Sequence, residues 1–328
     1  MDLTRGAPDL RGWIPTNVDL RPEVPEVHWC HAAGTRLTAP FYDGDLTRLM
    51  RLPFNRTFDA VTSIDDAASH LDSHPPLTPT AFIFHIGRCG STLVSRLLAA
   101  DPANRVVSEP APFDQVMRAP LSRPVTPDRY HRWLRTMVGA LGQHADGETR
   151  LFVKLDSWAS AAAAHLDQAF PGAPWLFVYR DPIEVLVSLL ASPPATLLQA
   201  FLGPKIFGIA PDDALHLSRE QYAARVVGVL VDNLADQASR AWLIEHPELP
   251  GAVMPWLEHV LDIRPDPAAR AAMQAIAGEH AKHPGTPFDD DRASKQARAT
   301  PELRSLVETW AAAGYARLCA ERARQVVP

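Results

Sequence analysis

The stretch Gly87-Arg88-Cys89-Gly90-Ser91-Thr92 has the residue types of an anion-binding turn. Its two glycines permit backbone conformations that leave several N–H groups pointing at one spot. A helix opening at Ser91 adds its positive end and the Ser91 and Thr92 hydroxyls. The spacing is not that of the Walker loop, which has four residues between its glycines and a Lys after the second. Here Arg88 and Cys89 alone separate Gly87 from Gly90, and the cation, Arg88, lies inside the turn. A second candidate for holding an anion is Arg180, which closes an apolar run. Asp181 and Pro182 after it are good cap and first-turn residues, and Ser188 stands eight positions further on. Glu109, Lys154 and Asp156 also end or follow apolar runs, two carboxylates able to take a proton and an ammonium able to neutralise developing charge.

Bringing these residues together requires a sheet. Five apolar runs have strand character: AFIFHI from Ala81, RVVSE from Arg105, LFVKL from Leu151, WLFVYR from Trp175 and GAVMPW from Gly251. The stretches STLVSRLLAAD, PDRYHRWLRTMVGALGQH, SWASAAAAHLDQAF and REQYAARVVGVLVDNLADQASRAWLIEH, which lie between the runs, read as helices. Near-continuous apolar strands alternating with helices predict an α/β fold, a parallel sheet of about five strands flanked by helices. Ligands of such sheets gather beyond the C-terminal strand ends, which is where Gly87, Arg88, Glu109, Lys154, Asp156 and Arg180 are expected to meet. Residues 1–78, rich in Pro and closing on SHPPLTPT, are expected to form an irregular N-terminal arm or small subdomain ahead of the main domain at 79–328.

A chain of 328 residues can bury a substantial core. With 32 Lys and Arg against 38 Asp and Glu, its net charge of -6 argues against a general attraction to nucleic acid or anionic membrane. Any anion site must therefore be local. The three cysteines are far apart and do not form a disulfide framework, which suits a reducing compartment. Cys89 is expected to fill a small-residue slot. The N-terminus has no apolar core of signal-peptide length, and Pro193 and Pro194 break the most apolar later stretch, so the expectation is a soluble, cytoplasmic protein, compatible with a homo-oligomer. His28, Cys30 and His31, like His280 and His283, make no four-ligand set, and no metal is expected.

Residues 87–92 resemble the 5′-phosphosulfate loop of the sulfotransferases, usually written Pro-Lys-x-Gly-Thr-Thr, and Arg180 with Ser188 is similar to that family's 3′-phosphate site. The resemblance spans about residues 81–190 and implies the P-loop-like sulfotransferase fold and the donor 3′-phosphoadenosine 5′-phosphosulfate (PAPS). It places Gly87, Arg88, Cys89, Gly90, Ser91 and Thr92 on the 5′-phosphate and sulfuryl oxygens, Arg88 in the position of the family's loop Lys, and Arg180 and Ser188 on the 3′-phosphate. Lys154, in FVKLDSW, looks like the first residue of the family's Lys-Thr-His segment, with Asp156 where cytosolic members carry a catalytic His. Glu109, in VVSEPAPFD, falls about where the tyrosylprotein and bacterial branches place a catalytic Glu. The implied activity is transfer of a sulfuryl group to a hydroxyl or amine, with Glu109 as general base and Asp156 as its understudy. Lys295 and Arg298 lie in a polar stretch, 285–304, comparable to one that many family members close over the nucleotide. The apolar, Pro/Gly-punctuated stretch 191–213 is expected to wall the acceptor pocket or to act as its lid. Two rival readings are an ATP-dependent P-loop-type small-molecule kinase and a non-catalytic nucleotide-binding protein. The acceptor is left open.

Overall fold

The computed structural model describes residues 9–143, 147–193, 204–278 and 291–325. Its centre is a five-stranded parallel sheet in the order β5-β6-β4-β7-β8, built from β4 (Pro79–His85), β5 (Asn104–Ser108), β6 (Arg150–Lys154), β7 (Trp175–Tyr179) and β8 (Trp242–Glu245). The middles of the inner strands are apolar because helices cover both faces. Ala81, Phe82, Ile83 and Phe84 of β4 and every residue of β7 are buried. Each such aliphatic or aromatic side chain withdrawn from water contributes about 1.5–3 kcal/mol. The chain leaves β4 towards the β5 and β6 flank and later crosses to β7 on the opposite flank. The C-terminal end of β4 is therefore the point where connections diverge and a crevice opens.

Two local expectations need correction. The fifth strand is Trp242–Glu245, inside the stretch read as one long helix; that helix stops at Asp236, and a short 3₁₀ turn, Ala238–Arg240, precedes the strand. GAVMPW is not a strand, since Val253–Pro255 and Trp256–Val260 are helical turns. A run of four residues at a sheet edge carries too little periodicity to compete with the amphipathic pattern before it. The Ala-rich stretch from Ser157 is a 3₁₀ segment, Ser157–Ala162, followed by an α-helix, Ala163–Ala169.

The N-terminal region is not irregular. It forms a three-stranded antiparallel sheet, β1 (Trp13–Asp19), β2 (Glu26–His31) and β3 (Ala60–Ser63), in that order. Pro15 is accommodated where the β1–β2 register shifts, which is how a proline enters a strand. The region is tied to the main sheet's helices: Val18 N–H donates to Gln115 Oε1 (2.7 Å), and Arg123 donates to the carbonyls of Leu20 (2.8 Å) and Pro22 (2.6 Å). Buried Tyr42 anchors its hydroxyl on the Pro15 carbonyl (2.7 Å), and its neighbour Phe41 reaches the crevice at the end of β4.

Candidate functional site

Beyond His85, the last residue of β4, the chain turns through Gly87 (φ 76°), Arg88 (φ 52°) and Gly90 (φ 90°), all left-handed. A Cβ on Gly90 would stand 2.6 Å from Leu249 Cδ1 and 3.2 Å from His246 Cδ2, so that position needs glycine for its φ and for the close approach. The helix Ser91–Ala99 starts directly after it. Ser91 and Thr92 line a cavity of about 210 Å³ together with Gly87, Arg88, Glu109 and Asp156. Unpaired N–H groups of a first helical turn, next to a left-handed loop, make such a cavity attractive to an anion. Arg88 donates from Nη2 to the Ser192 carbonyl (2.5 Å), at the end of the helix Pro182–Ala191. Cys89 faces the core, where its Sγ donates to the Val178 carbonyl (3.2 Å) and burial pushes the thiol up.

Glu109 follows β5 with φ 50°, another left-handed non-glycine residue, and its N–H donates to the Lys154 carbonyl (2.7 Å). Its Oε1 accepts from Lys154 Nζ and lies 3.2 Å from His85 Nε2. Lys154 is fully buried, with Nζ 4.9 Å from the centre of the Phe41 ring. Burial pushes the Glu109 carboxyl up, but the charge of Lys154 and the adjacent His85 outweigh it and hold the group well below the usual carboxylate range. Asp156 Oδ1 accepts from the Ser157 hydroxyl (3.1 Å), and burial, then repulsion from Glu109, pushes this carboxyl up. Two neighbouring carboxyls are thus driven in opposite directions, the arrangement that lets an active site divide acid and base roles.

A second cavity, of about 430 Å³, shares Phe41, Glu109 and Asp156 with the first and adds Asp43, Asp114 and Arg118. Asp114 accepts from Trp158 Nε1 (2.5 Å) and pairs with Arg118 (2.7 Å), yet burial, aided by Asp156, pushes it up to about 6. The folded state therefore binds this proton more tightly than the unfolded chain, whose Asp titrates near 3.8. The group's stabilising contribution is complete at pH values below the unfolded one and is lost as pH rises through the folded one. Asp114→Asn should accordingly gain stability relative to the native protein as pH rises from about 4 to 6. Denaturant unfolding at a series of pH values tests this; a difference that does not change with pH would refute it.

Arg180 follows β7 and is 3% exposed. Its Nε donates to Glu184 Oε2 (2.6 Å), its Nη2 to Asp291 Oδ1 (2.7 Å), and its Nη1 lies 3.2 Å from His246 Nε2. Buried Lys295 holds the other Asp291 oxygen (2.7 Å), so one carboxylate bridges two buried cations. Burial and the charge of Arg180 push His246 down to about 4, which keeps its imidazole neutral and able to accept from the guanidinium. Since His246 also abuts Gly90, a single imidazole spans the distance between Arg180 and the glycine turn. Ser188, half-buried, lies one helical turn beyond Glu184 on the same face of the helix Pro182–Ala191.

The structure thus gathers Gly87, Arg88, Ser91, Thr92, Glu109 and Asp156 around one cleft, with Lys154 behind Glu109. It sets Arg180 and Lys295 in an adjoining cluster, and it leaves Arg298 exposed at the end of the helix Arg292–Arg298. Phe41, His85, His246 and Asp291 were not singled out from sequence. His85 had a local signal, an imidazole closing a buried strand two residues before Gly87; the others had none. Residues 194–203 of the stretch expected to wall the acceptor pocket, like His280 and His283, lie outside the described residues, while Phe207 of the same stretch lines the first cavity. Among the described residues, no group of three or more His, Cys, Asp or Glu is placed to hold a metal ion, and no helix is long and apolar enough to cross a membrane.

No protein-family model matches the chain, and no curated protein matches it. Several solved structures do. A sulfotransferase from Mycobacterium avium superposes with a TM-score of 0.44 at 18% identity, over 74% of this chain and 80% of that one. A sulfotransferase from Alicyclobacillus acidocaldarius gives 0.43 at 17% identity, over 76% and 97%. The sulfotransferase domain of the Synechococcus PCC 7002 olefin synthase gives 0.43 at 16%, over 71% and 94%. Superpositions this loose carry no argument about chemistry, which rests on the site itself.

Proposed function

We propose that this protein is a sulfotransferase that moves a sulfuryl group from PAPS to a hydroxyl or amine of a small-molecule or peptide acceptor. The observation that carries the reading is the buried Arg180, one imidazole away from the left-handed loop, so that two groups suited to holding an anion adjoin at the strand ends. A donor with phosphates on both its 3′ and 5′ oxygens engages both sites. ATP, with a single phosphate chain, leaves the Arg180 site unused, and the loop lacks the Lys that a Walker turn places after its second glycine. Calorimetry with 3′-phosphoadenosine 5′-phosphate against ATP plus Mg²⁺ separates the two. Tighter binding of ATP would favour the kinase reading.

In this reading the N–H groups of the loop and first helical turn, with the Ser91 and Thr92 hydroxyls, hold the 5′-phosphate and sulfuryl oxygens. Glu109 takes the acceptor's proton as the new bond to sulfur forms. The bond from sulfur to the bridging oxygen breaks, and 3′-phosphoadenosine 5′-phosphate leaves, with Arg88 offsetting the charge left on that oxygen. Lys154, buried behind Glu109, keeps the carboxylate ionised and its Oε1 fixed, and it makes the carboxylate a weak base for as long as the pair is intact. The second cavity, beside Glu109, is where the acceptor enters.

Asp291 now pairs with the two cations that a 3′-phosphate would use, and at 47% side-chain exposure it is the part of that cluster nearest solvent. A phosphate therefore displaces it. Asp291→Asn should tighten binding of 3′-phosphoadenosine 5′-phosphate by about twofold to fivefold, the scale of an exposed ion pair. Weaker binding on titration would instead make Asp291 a support for Arg180.

A further inference from the structure

We infer that His85 is a positioning residue that ties the loop to the base, through a single tautomer with its proton on Nε2. The inference rests on the sulfotransferase reading for the roles of the loop and of Glu109, and on two contacts of one buried imidazole for the rest. The Gly87 N–H donates to His85 Nδ1 (3.0 Å), so Nδ1 must offer a lone pair. The neutral ring then carries its proton on Nε2, and Nε2 lies 3.2 Å from Glu109 Oε1. That contact is at hydrogen-bond distance but off line, and Nε2 is buried with no other hydrogen-bond partner among the described residues. Glu109 is thus the group the N–H faces, and rotation of either side chain by a small angle completes the bond, as catalytic contacts do when they tighten in a working complex.

The two contacts have different consequences. The first resembles an Asx turn, in which a side-chain acceptor binds the N–H two residues on, and it fixes Gly87 at φ 76°, the first left-handed step of the loop. The second, together with Lys154, holds Oε1, so that the other carboxylate oxygen is the one presented for proton transfer. A histidine between the loop and the base therefore couples how the donor is held to how the acceptor's proton is taken.

Two conservative substitutions separate these roles. In His85→Asn the Oδ1 atom takes the place of Nδ1 and keeps the Gly87 bond, but the side chain stops short of Glu109. In His85→Gln the terminal amide takes the place of Nε2 and keeps the donor to Glu109, while the acceptor for Gly87 is lost. We expect His85→Asn to bind 3′-phosphoadenosine 5′-phosphate as the native protein does, by calorimetry, and to turn over PAPS about fivefold to tenfold more slowly. His85→Gln should do the reverse, losing about fivefold to tenfold in affinity with turnover of bound PAPS nearly kept. Parallel losses in both variants, or no loss in either, would overturn the inference, as would a proton on Nδ1 in the imidazole nitrogen NMR spectrum of the native protein. A native protein that binds no 3′-phosphoadenosine 5′-phosphate would point instead to failure of the donor reading.

Discussion

Replacement of Glu109 by Gln should lower sulfuryl transfer from PAPS by about 10²–10⁴-fold, the usual range for losing a general base, with 3′-phosphoadenosine 5′-phosphate binding within a few-fold of native. Gln keeps the shape and the oxygen that accepts from Lys154 but cannot take a proton. The substitution also strips the counter-charge from a fully buried ammonium, and breaking such a pair outright costs about 3–5 kcal/mol of stability. Lost activity therefore has to be separated from lost fold. Glu109→Gln combined with Lys154→Met removes both charges, restores stability in large part and stays inactive; donor binding and thermal unfolding of both variants are the checks. Unchanged turnover in a folded Glu109→Gln protein would remove Glu109 from the mechanism and pass the role to Asp156. The pH profile separates the same two carboxyls. Glu109 is held well below the usual range and is ionised throughout neutral pH, whereas Asp156 is pushed up, so an acid limb of kcat/KM above the ordinary carboxylate range that vanishes in Asp156→Asn would mark Asp156 as the base.

Much of this site was legible because its signals are local. Gly87, Arg88 and Gly90 lie within four residues, and the left-handed backbone they adopt is what glycine spacing announces. Glu109, Lys154 and Arg180 each end or directly follow an apolar run, and a parallel sheet brings such ends to one edge whatever the strand order. What was not legible depends on contacts between distant parts of the chain. His246 and Asp291 reach Arg180 from 66 and 111 residues away, and nothing in their own neighbourhoods marks them. The edge strand Trp242–Glu245 was hidden for a related reason: four residues directly after a long amphipathic helix take their conformation from pairing with β7 and not from their own pattern. Proline content concealed the N-terminal sheet, because Pro15 is tolerated at a register shift that no local rule anticipates.

The second large effect belongs to Arg180. Its guanidinium is fixed on three sides, by Glu184, His246 and Asp291, and of these Asp291 alone is substantially exposed and held in part by a second cation, Lys295. A 3′-phosphate arriving from solvent displaces Asp291 and gains charge-assisted bonds to both cations without rearranging the guanidinium, which Glu184 continues to hold. Loss of such a bond costs about 1.5–3 kcal/mol, so Arg180→Ala should weaken 3′-phosphoadenosine 5′-phosphate by about 10- to 150-fold. Adenosine 5′-phosphate, which offers the loop the same group but nothing to Arg180, should lose far less. Removing Arg180 also takes from buried Glu184 its nearest counter-charge, although Gln296 still donates to its Oε1 (2.9 Å) and Arg292 Nε lies 3.7 Å from the same oxygen, so thermal unfolding of the variant must accompany the calorimetry. Equal losses for the two nucleotides would mean that Arg180 supports the fold beside the loop instead of reading the 3′-phosphate. The donor would then lose its second handle, and with it the feature that distinguishes PAPS from ATP at this site.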